Sequence, residues 1–579
     1  MVGKMSRNNY MQGETRHRLT VDLTTGKTHR HDLPEHALWL GGRALADAIL
    51  SDEVPATCHP LGPRNRLVLA PGLFAGTAMP TASRLSIAAK SPLTGGIKES
   101  NVGGMGGLIL AQLGLGAVVI GGESPSPSPK VLVVQKDGEE IIAAPQLAGL
   151  GNYASVATLR EQYGEDHVVI CIGPCGEMNM GAATVAVTDT NGRPCRHAAR
   201  GGLGAVMGAK GLKAIVIDPR ATKLRRGQDP SAFSEVVKEY TQILQSSKRT
   251  TFWRENGTAG LVDLGHARGS MPTRNFTAGA YEKKGEINAE RLKSLIGERG
   301  GQMGHACMRG CVVRCSNIFN DEQGQYLTSG LEYETLAMMG SNLDIDDLDT
   351  IAQIDHRCDD YGIDTIEMGA TLGILTETDF FTFGNRKRAI ELIEEIGGGT
   401  VLGRILGQGA VVTGKVFGIR RVPAVKGQSL PAHCARSLKG LGVTYATSPQ
   451  GADHTAGFVT EEPLSKEGHT ERSRTAQINN LLADSLGLCQ FTGLRAEHGL
   501  FARLIGPLTG KMPSEEEVRR IGQDALWKER TFNLRAGLGP SQDRLPEFMA
   551  EEPLPPHNTV FDVEEADLDR VFGEHPGAK

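Results

Sequence analysis

Aromatic residues are scarce, at 5% of 579 positions. No apolar run approaches the roughly 18 residues that a membrane-spanning helix needs, so no membrane contact is expected. No long block carries one sign of charge: 62 Lys and Arg stand against 67 Asp and Glu, a formal charge of −5. That lacks the electrostatic footprint of a nucleic-acid binder, and no nucleic acid is expected as a partner. Cysteine is too sparse, at ten residues, for a disulfide scaffold. The segment from Met1 to Arg18 is polar and mixed in charge, without the apolar stretch of a secretory signal. A cytoplasmic protein is the expectation, and in a reducing compartment clustered cysteines read as metal ligands or catalytic thiols.

What is abundant is glycine, 74 residues, against an average usage of about 7%. Many fall before residue 210, where backbone must turn tightly or approach something closely. Between them run short apolar stretches: RLVLAPG (66–72), GAVVIGG (116–122), KVLVVQ (130–135), HVVICIG (167–173) and LKAIVI (212–217). These predict strands. Beyond a charged stretch at 222–230 the pattern changes to amphipathic segments such as SAFSEVVKEYTQILQSS and LDTIAQIDHRCDDYGI, with helical apolar spacing. The expected fold class is α+β: a β-rich domain over residues 1–220, then two mainly helical domains over 221–428 and 429–579. Pro and Gly near Val422 to Leu430 mark the second boundary. No fixed-period repeat is visible, and the tail after Pro540 reads as polar and without signal.

Cys307, Cys311 and Cys315 recur every four residues in HACMRGCVVRCSN, which predicts three thiols on one helical face or around a tight ligand loop. Three soft donors suggest a metal, and three thiolates alone leave iron–sulfur and zinc both open. A fourth ligand is best sought in Cys489, at the end of DSLGLC (484–489). That segment has a partner in DDYGID (359–364), and both follow D-x-x-G-[IL]-[DC] at the end of a helical stretch. Taken singly, each is an ordinary glycine helix cap. As a pair, the second ending in the missing cysteine, they carry information. RGGLGAVMGAKG (200–211) contains GxGxxxG, but neither the spacing nor the following acidic residue of a dinucleotide fold.

At these residues the chain resembles the aldehyde:ferredoxin oxidoreductases. The resemblance implies two pyranopterins holding tungsten or molybdenum, with Asp359, Asp364, Asp484 and Leu488 on the D-x-x-G segments that bind them. It implies a [4Fe–4S] cluster on Cys307, Cys311, Cys315 and Cys489. The family's usual spacing is CxxCxxxC, whereas CxxxCxxxC stands here. Longer phrases extend the likeness: LGGRALADAILSDEVP (40–55), RNRLVLAPGLFAGTAMPTASRLSIAAKSPLTGG (64–96), ESNVGG (99–104) and RHAARGGLGAVMGAKGLKAIVI (196–217). Within them Arg84, Asn101, Gly103, Arg196, His197 and Arg200 match positions around the pterin phosphates and a bridging Mg2+, His197 through its carbonyl. Arginine forks and glycine backbones are what phosphate requires.

GLEYETLAMMGSN (330–342) resembles the segment whose glutamate faces the metal, making Glu332 the preferred candidate over Glu334. TSPQGADHTAG (447–457) resembles the segment with the active-site histidine, here His454. LPAHCARSLKG (430–440) departs from the family, with His433 and Cys434 where Tyr and Asp are typical. The implied activity is oxidation of a small aldehyde to a carboxylic acid, with electrons passing through the cluster to ferredoxin or an iron–sulfur partner subunit. A homodimer is also expected. Two alternatives stand beside it: the catalytic subunit of an aromatic acyl-CoA reductase-type complex with the same cofactors, and a zinc-stabilised scaffold without activity.

Overall fold

Runs rich in Val, Ile and Leu between glycine turns build two six-stranded sheets in the computed structural model, which describes residues 16–573. The first sheet contains β1 (His17–Asp22), β2 (Lys27–Asp32), β3 (Leu67–Pro71), β4 (Leu85–Lys90), β5 (Ile97–Val102) and β6 (Leu115–Gly121). The second contains β7 (Lys130–Gln135), β8 (Gly138–Ala143), β9 (Val168–Cys171), β10 (Val185–Val187), β11 (Arg196–Ala198) and β12 (Leu212–Ile217). The five apolar runs read as strands are β3, β6, β7, β9 and β12. The polar residues 1–15 that bore on the signal-peptide question lie outside the described residues.

Spatial order is β2-β1-β6-β3-β4-β5 in one sheet and β8-β7-β12-β9-β10-β11 in the other. In each, an antiparallel hairpin pairs in parallel with the sheet's last strand, which pairs with an antiparallel meander of three. A short helix precedes each last strand, Gly106–Gln112 and Leu203–Ala209. The domain is therefore a duplicated topology, which a search for fixed-period residues did not anticipate: what repeats is strand pairing, and many sequences satisfy one pairing pattern. The two copies touch through β5 and β11.

Helices follow. Pro230–Ser246 starts on an Asp229 N-cap with Pro in its first turn and buries Phe233, Val236, Val237, Tyr240 and Leu244. Leu348–Tyr361 starts on Asp347, whose side chain accepts from Thr350 N–H. A three-stranded sheet, β13 (Gln302–His305), β14 (Ser316–Asn320) and β15 (Tyr326–Ser329), lies between them in sequence. Helices His469–Leu486 and Glu515–Arg535 pack on each other and on Gly42–Glu53 of the first domain. Arg43 there forks onto Glu529 at 2.7 and 2.9 Å, buried on both sides.

Residues 424–429, at the expected second boundary, form a short hairpin, Ala424–Val425 against Gln428–Ser429, whose Val425, Gln428 and Ser429 are buried. One expectation needs correction. The tail beyond Pro540 is structural, because Phe548, Met549, Leu554, Phe561, Val571 and Phe572 are buried in the main core.

Candidate cofactor site and active site

Both D-x-x-G segments end helices in the same way. Helix Leu348–Tyr361 stops at Gly362 (φ 72°), and helix His469–Leu486 stops at Gly487 (φ 81°). This left-handed conformation costs glycine little and other residues more. Each glycine also meets backbone: a Cβ on Gly362 would lie 2.9 Å from Gly173 N, and one on Gly487 2.9 Å from Gly72 Cα. Gly362 O accepts from Thr184 N–H at 2.9 Å, and Gly487 O accepts from Arg84 N–H at 3.2 Å. Thr184 and Arg84 stand just before β10 and β4, corresponding places in the two sheets. One segment is thus strapped to each copy of the duplicated topology.

Asp364 and Asp484 of the straps are buried and Asp359 is half-buried, and each lies beside an arginine or histidine. Asp364 caps the helix Thr365–Ile374, accepting from Ile366 N–H at 3.0 Å, with Arg200 Nε at 3.4 Å. Arg200 also donates to Ala452 O and Ser429 O, both at 2.6 Å. Asp359 Oδ1 lies 3.1 Å from His197 Nε2, and His197 Nδ1 lies 2.7 Å from Thr184 Oγ1. His197 Nε2 also lies 3.1 Å from Pro194 O, and since both of its neighbours there are acceptors, Nε2 is a nitrogen that donates. Asp484 Oδ2 is 3.4 Å from Arg43 Nη1, and its Oδ1 accepts from Gln490 Nε2 at 3.4 Å. Burial raises both Asp364 and Asp484 to about 6, against Arg200 for the first and Arg43 and Arg84 for the second. Leu488 is buried and its N–H donates to Ala483 O at 2.9 Å.

Asn101 and His197 occupy corresponding places on β5 and β11, the strands at the seam between the sheets. Arg84 donates through Nε to Asn101 Oδ1 and through Nη2 to Asn101 O, the latter at 2.9 Å. Gly103 lies against the cysteine loop: a Cβ there would be 3.3 Å from Cys307 Sγ.

The three clustered cysteines lie on the turn-rich connection between β13 and β14. The three cysteines lie on a loop and not on a helical face, since Gly310 (φ 78°) and Arg314 (φ 51°) break any helix. The loop is tied through one residue that the sequence did not reveal, Thr81. Its N–H donates to Gly310 O, its Oγ1 accepts from Val312 N–H and its carbonyl accepts from Cys489 N–H, at 3.2, 3.1 and 3.1 Å. Cys307 is drawn down to about 6 by a hydrogen bond with Cys311, against burial and with help from Arg196 and Arg84. Burial raises Cys315 and Cys489. Arg196 is buried and Arg84 half-buried among these thiols and neighbouring carboxylates; burial opposes their charge, yet the surrounding anionic groups hold both above the ordinary arginine value.

Arg196 Nε and Nη2, Asp359 Oδ2, Glu334 Oε1 and His454 Nδ1 are buried without hydrogen-bond partners. Buried polar atoms are normally satisfied, so the Arg196 nitrogens fit an anionic, phosphate-bearing group and the Asp359 oxygen fits a hydrogen-bond donor. Among the described residues, no three His, Cys, Asp or Glu side chains gather around a single metal ion. Cys311 lies near Cys307, Cys315 and Cys489, and four thiols brought together are a donor set that could hold an iron–sulfur cluster.

Glu332 and Glu334 point to different neighbours. Glu332 accepts from Thr258 Oγ1, is raised by burial, and sits near Arg196 and Cys315. Glu334 is the one brought to His454, with Oε1 3.6 Å from His454 Nε2. The same oxygen is 3.6 Å from His433 Nε2, and Oε2 accepts from Ala432 N–H at 2.7 Å. The sequence preference for Glu332 is therefore corrected in geometry: Glu332 stands on the cysteine side and Glu334 on the histidine side. Asp453, beside His454, is held well below the usual carboxylate range; burial opposes this, and Lys98, at 2.6 Å, and Arg200 outweigh it. Neither Asp453 nor Lys98 was legible as a motif. Cys434 is fully buried.

Comparison with known proteins gives concordant results. Residues 18–219 match the family model "Aldehyde ferredoxin oxidoreductase, N-terminal domain", and residues 235–572 match "Aldehyde ferredoxin oxidoreductase, domains 2 & 3". The second match runs through the buried tail. The tungsten-containing aldehyde ferredoxin oxidoreductase of Thermococcus kodakarensis is 33% identical over 570 residues, covering 93% of this chain and 91% of that protein. The WOR-like subunit of the aliphatic sulfonate oxidoreductase of Pyrococcus furiosus is 30% identical over 517 residues, covering 82% and 78%. A solved chain of the active-site complex BamBC of benzoyl coenzyme A reductase, with 1,5-dienoyl-CoA, superposes with a TM-score of 0.80 at 19% identity, covering 96% and 93%. That likeness establishes the fold.

Proposed function

Because the chain belongs to the aldehyde ferredoxin oxidoreductase family and is an oxidoreductase, we propose that it oxidises a small aldehyde to a carboxylic acid. The balance is RCHO + H2O → RCOOH + 2 e− + 2 H+, with the electrons taken by a ferredoxin-type carrier or an iron–sulfur partner subunit. The family implies a tungsten–pterin cofactor, and the tungsten-containing relatives favour tungsten over molybdenum. When bound, it supplies the two-electron redox chemistry, and a [4Fe–4S] cluster the one-electron exit.

The chain's own residues would divide the remaining work. Asp359, Asp364, Asp484 and the Leu488 backbone would hold the pterin rings. Arg84, Arg196 and Arg200, with the Gly103 turn, would meet anionic oxygens, and Asn101 and the His197 carbonyl would face a bridging Mg2+. Cys307, Cys311, Cys315 and Cys489 would hold the cluster. Glu334 would accept a proton of the attacking water or hydrate, with His454 steadying the developing oxyanion. Glu332 would serve the cysteine side, away from substrate. The observation that carries this reading is the Glu334 Oε1 to His454 Nε2 approach of 3.6 Å, both groups having unmet hydrogen-bonding capacity. Membership in an oxidoreductase family leaves the zinc-scaffold reading without support.

The test is elemental analysis of anaerobically purified protein for W, Mo, Fe and Zn, followed by aldehyde turnover of Glu334→Gln with benzyl viologen as acceptor. About one tungsten and about four irons per chain, with turnover lost in the variant, supports the reading. Full metal content with wild-type turnover in Glu334→Gln would overturn the role of Glu334. Zinc without tungsten or molybdenum would overturn the cofactor set.

A further inference from the structure

One oxygen of Glu334 is faced by two imidazoles rather than one. His433 and His454 each present Nε2 at 3.6 Å from Oε1, while Oε2 is taken by Ala432 N–H. Their rings are 5.9 Å apart, centroid to centroid. His433 is fixed by its surroundings: its ring lies 4.9 Å from that of Tyr333 and meets Phe458 edge-on at 5.1 Å. Tyr333 is itself locked by its hydroxyl on Ala432 O at 2.7 Å. The segment that holds His433 is therefore also the one whose amide holds Glu334.

We propose that His433 is a positioning residue for Glu334: seated 3.6 Å from Oε1, its imidazole turns the carboxylate toward His454, forming a three-member array His454–Glu334–His433. The inference rests on the proposed role of Glu334 and adds to it a residue that no comparison assigns. Burial, then His454 and Arg268, push the His433 imidazolium well below the ordinary histidine range, so the ring is neutral. A neutral ring suits the task, because it stabilises the carboxylate without forming the fixed ion pair that would quench its basicity. The other groups facing the array are Arg200, Tyr333 and Tyr445 around Glu334, and Asp453 beside His454.

The sign follows from linkage. A polar ring facing a carboxylate favours its ionised form, so replacing that ring by an apolar one raises the carboxylate pKa. If Glu334 acts ionised, the acidic limb of the kcat profile must then move to higher pH. The test compares His433→Phe, which keeps ring packing and removes the ring nitrogens, with His433→Gln, whose amide N–H can reach the former Nε2 position. Two readouts are taken on metal-replete protein: the pH profile of kcat and KM for acetaldehyde with benzyl viologen, and infrared titration of the protonated-carboxyl C=O band, identified by its loss in Glu334→Gln. The expected result for His433→Phe is a limb and a band both displaced by about one pH unit or more, a kcat about tenfold lower at neutral pH and a KM within about twofold, with His433→Gln recovering most of the shift. Unmoved limb and band in His433→Phe would overturn the proposal, as would an equal loss in both variants. Failure of the parent reading looks different: Glu334→Gln would then retain turnover whatever His433 does.

Discussion

The two D-x-x-G straps share a backbone and differ at their last residue. Both follow a helix ended by a left-handed glycine, and both present that glycine's carbonyl to an amide at the head of a corresponding strand. Yet 359–364 ends in Asp364, which caps the next helix and meets Arg200, whereas 484–489 ends in Cys489, whose N–H is held by Thr81 beside the cysteine loop. The duplicated architecture supplies two equivalent cradles. On the proposed reading, the terminal residue would decide which one is wired to a cluster.

The strongest way to break this comparison is to exchange the endings. Cys489→Ser is expected to strip iron and lower acceptor-linked turnover by roughly two orders of magnitude or more, because the electron route is lost. Asp364→Asn is expected to retain iron. Iron analysis and turnover check both, and iron loss in Asp364→Asn would erase the asymmetry. Next in size, Gly362→Ala and Gly487→Ala should each destabilise the protein by about 2–4 kcal/mol, from left-handed strain and backbone collision together. Urea unfolding measures this, and unequal costs would mean that the straps are not mechanically equivalent. Thr184→Val, which frees His197 from its hydroxyl partner, should cost about 1 kcal/mol, with its effect confined to the strap at 359–364.

Much of this was legible before any coordinates. β3, β6, β7, β9 and β12 announced themselves because their β-branched runs are bounded by glycine, and the four cysteines stood out by chemistry and spacing. The choice between Glu332 and Glu334 did not, because two residues in sequence say nothing about which neighbour each will meet. Glu332 is the extended N-cap residue before Tyr333 and is taken by Thr258, far away in the chain, while Glu334 enters the first turn and swings to the histidines. The tail deceived for another reason. Phe548, Phe561 and Phe572 are separated by acidic and turn residues, so no period betrays their common burial. Lys98 and Asp453 are an ion pair between distant segments, and no local pattern encodes such a partner.

A smaller effect sharpens the comparison from outside. If electrons leave on the Cys489 side, the exposed Arg309 of the cysteine loop should help to dock an acidic carrier. Arg309→Glu is expected to raise KM for a bacterial ferredoxin by roughly threefold to tenfold at low salt, with benzyl viologen turnover unchanged. A loss in the dye assay as well would point to damage at the cluster instead.

Thr81 leaves one more mark on the life of the molecule. It comes from the first domain, yet it fastens the loop of Cys307, Cys311 and Cys315 and, with its own carbonyl, the amide of Cys489 near the other end of the chain. The four thiols therefore assemble only after synthesis has delivered distant segments and these have docked on the early sheet. If the four thiols hold a cluster as proposed, a polypeptide that stops short of Cys489 would display three of the ligands and lack the fourth, so the cluster would close only once that segment has been made and docked.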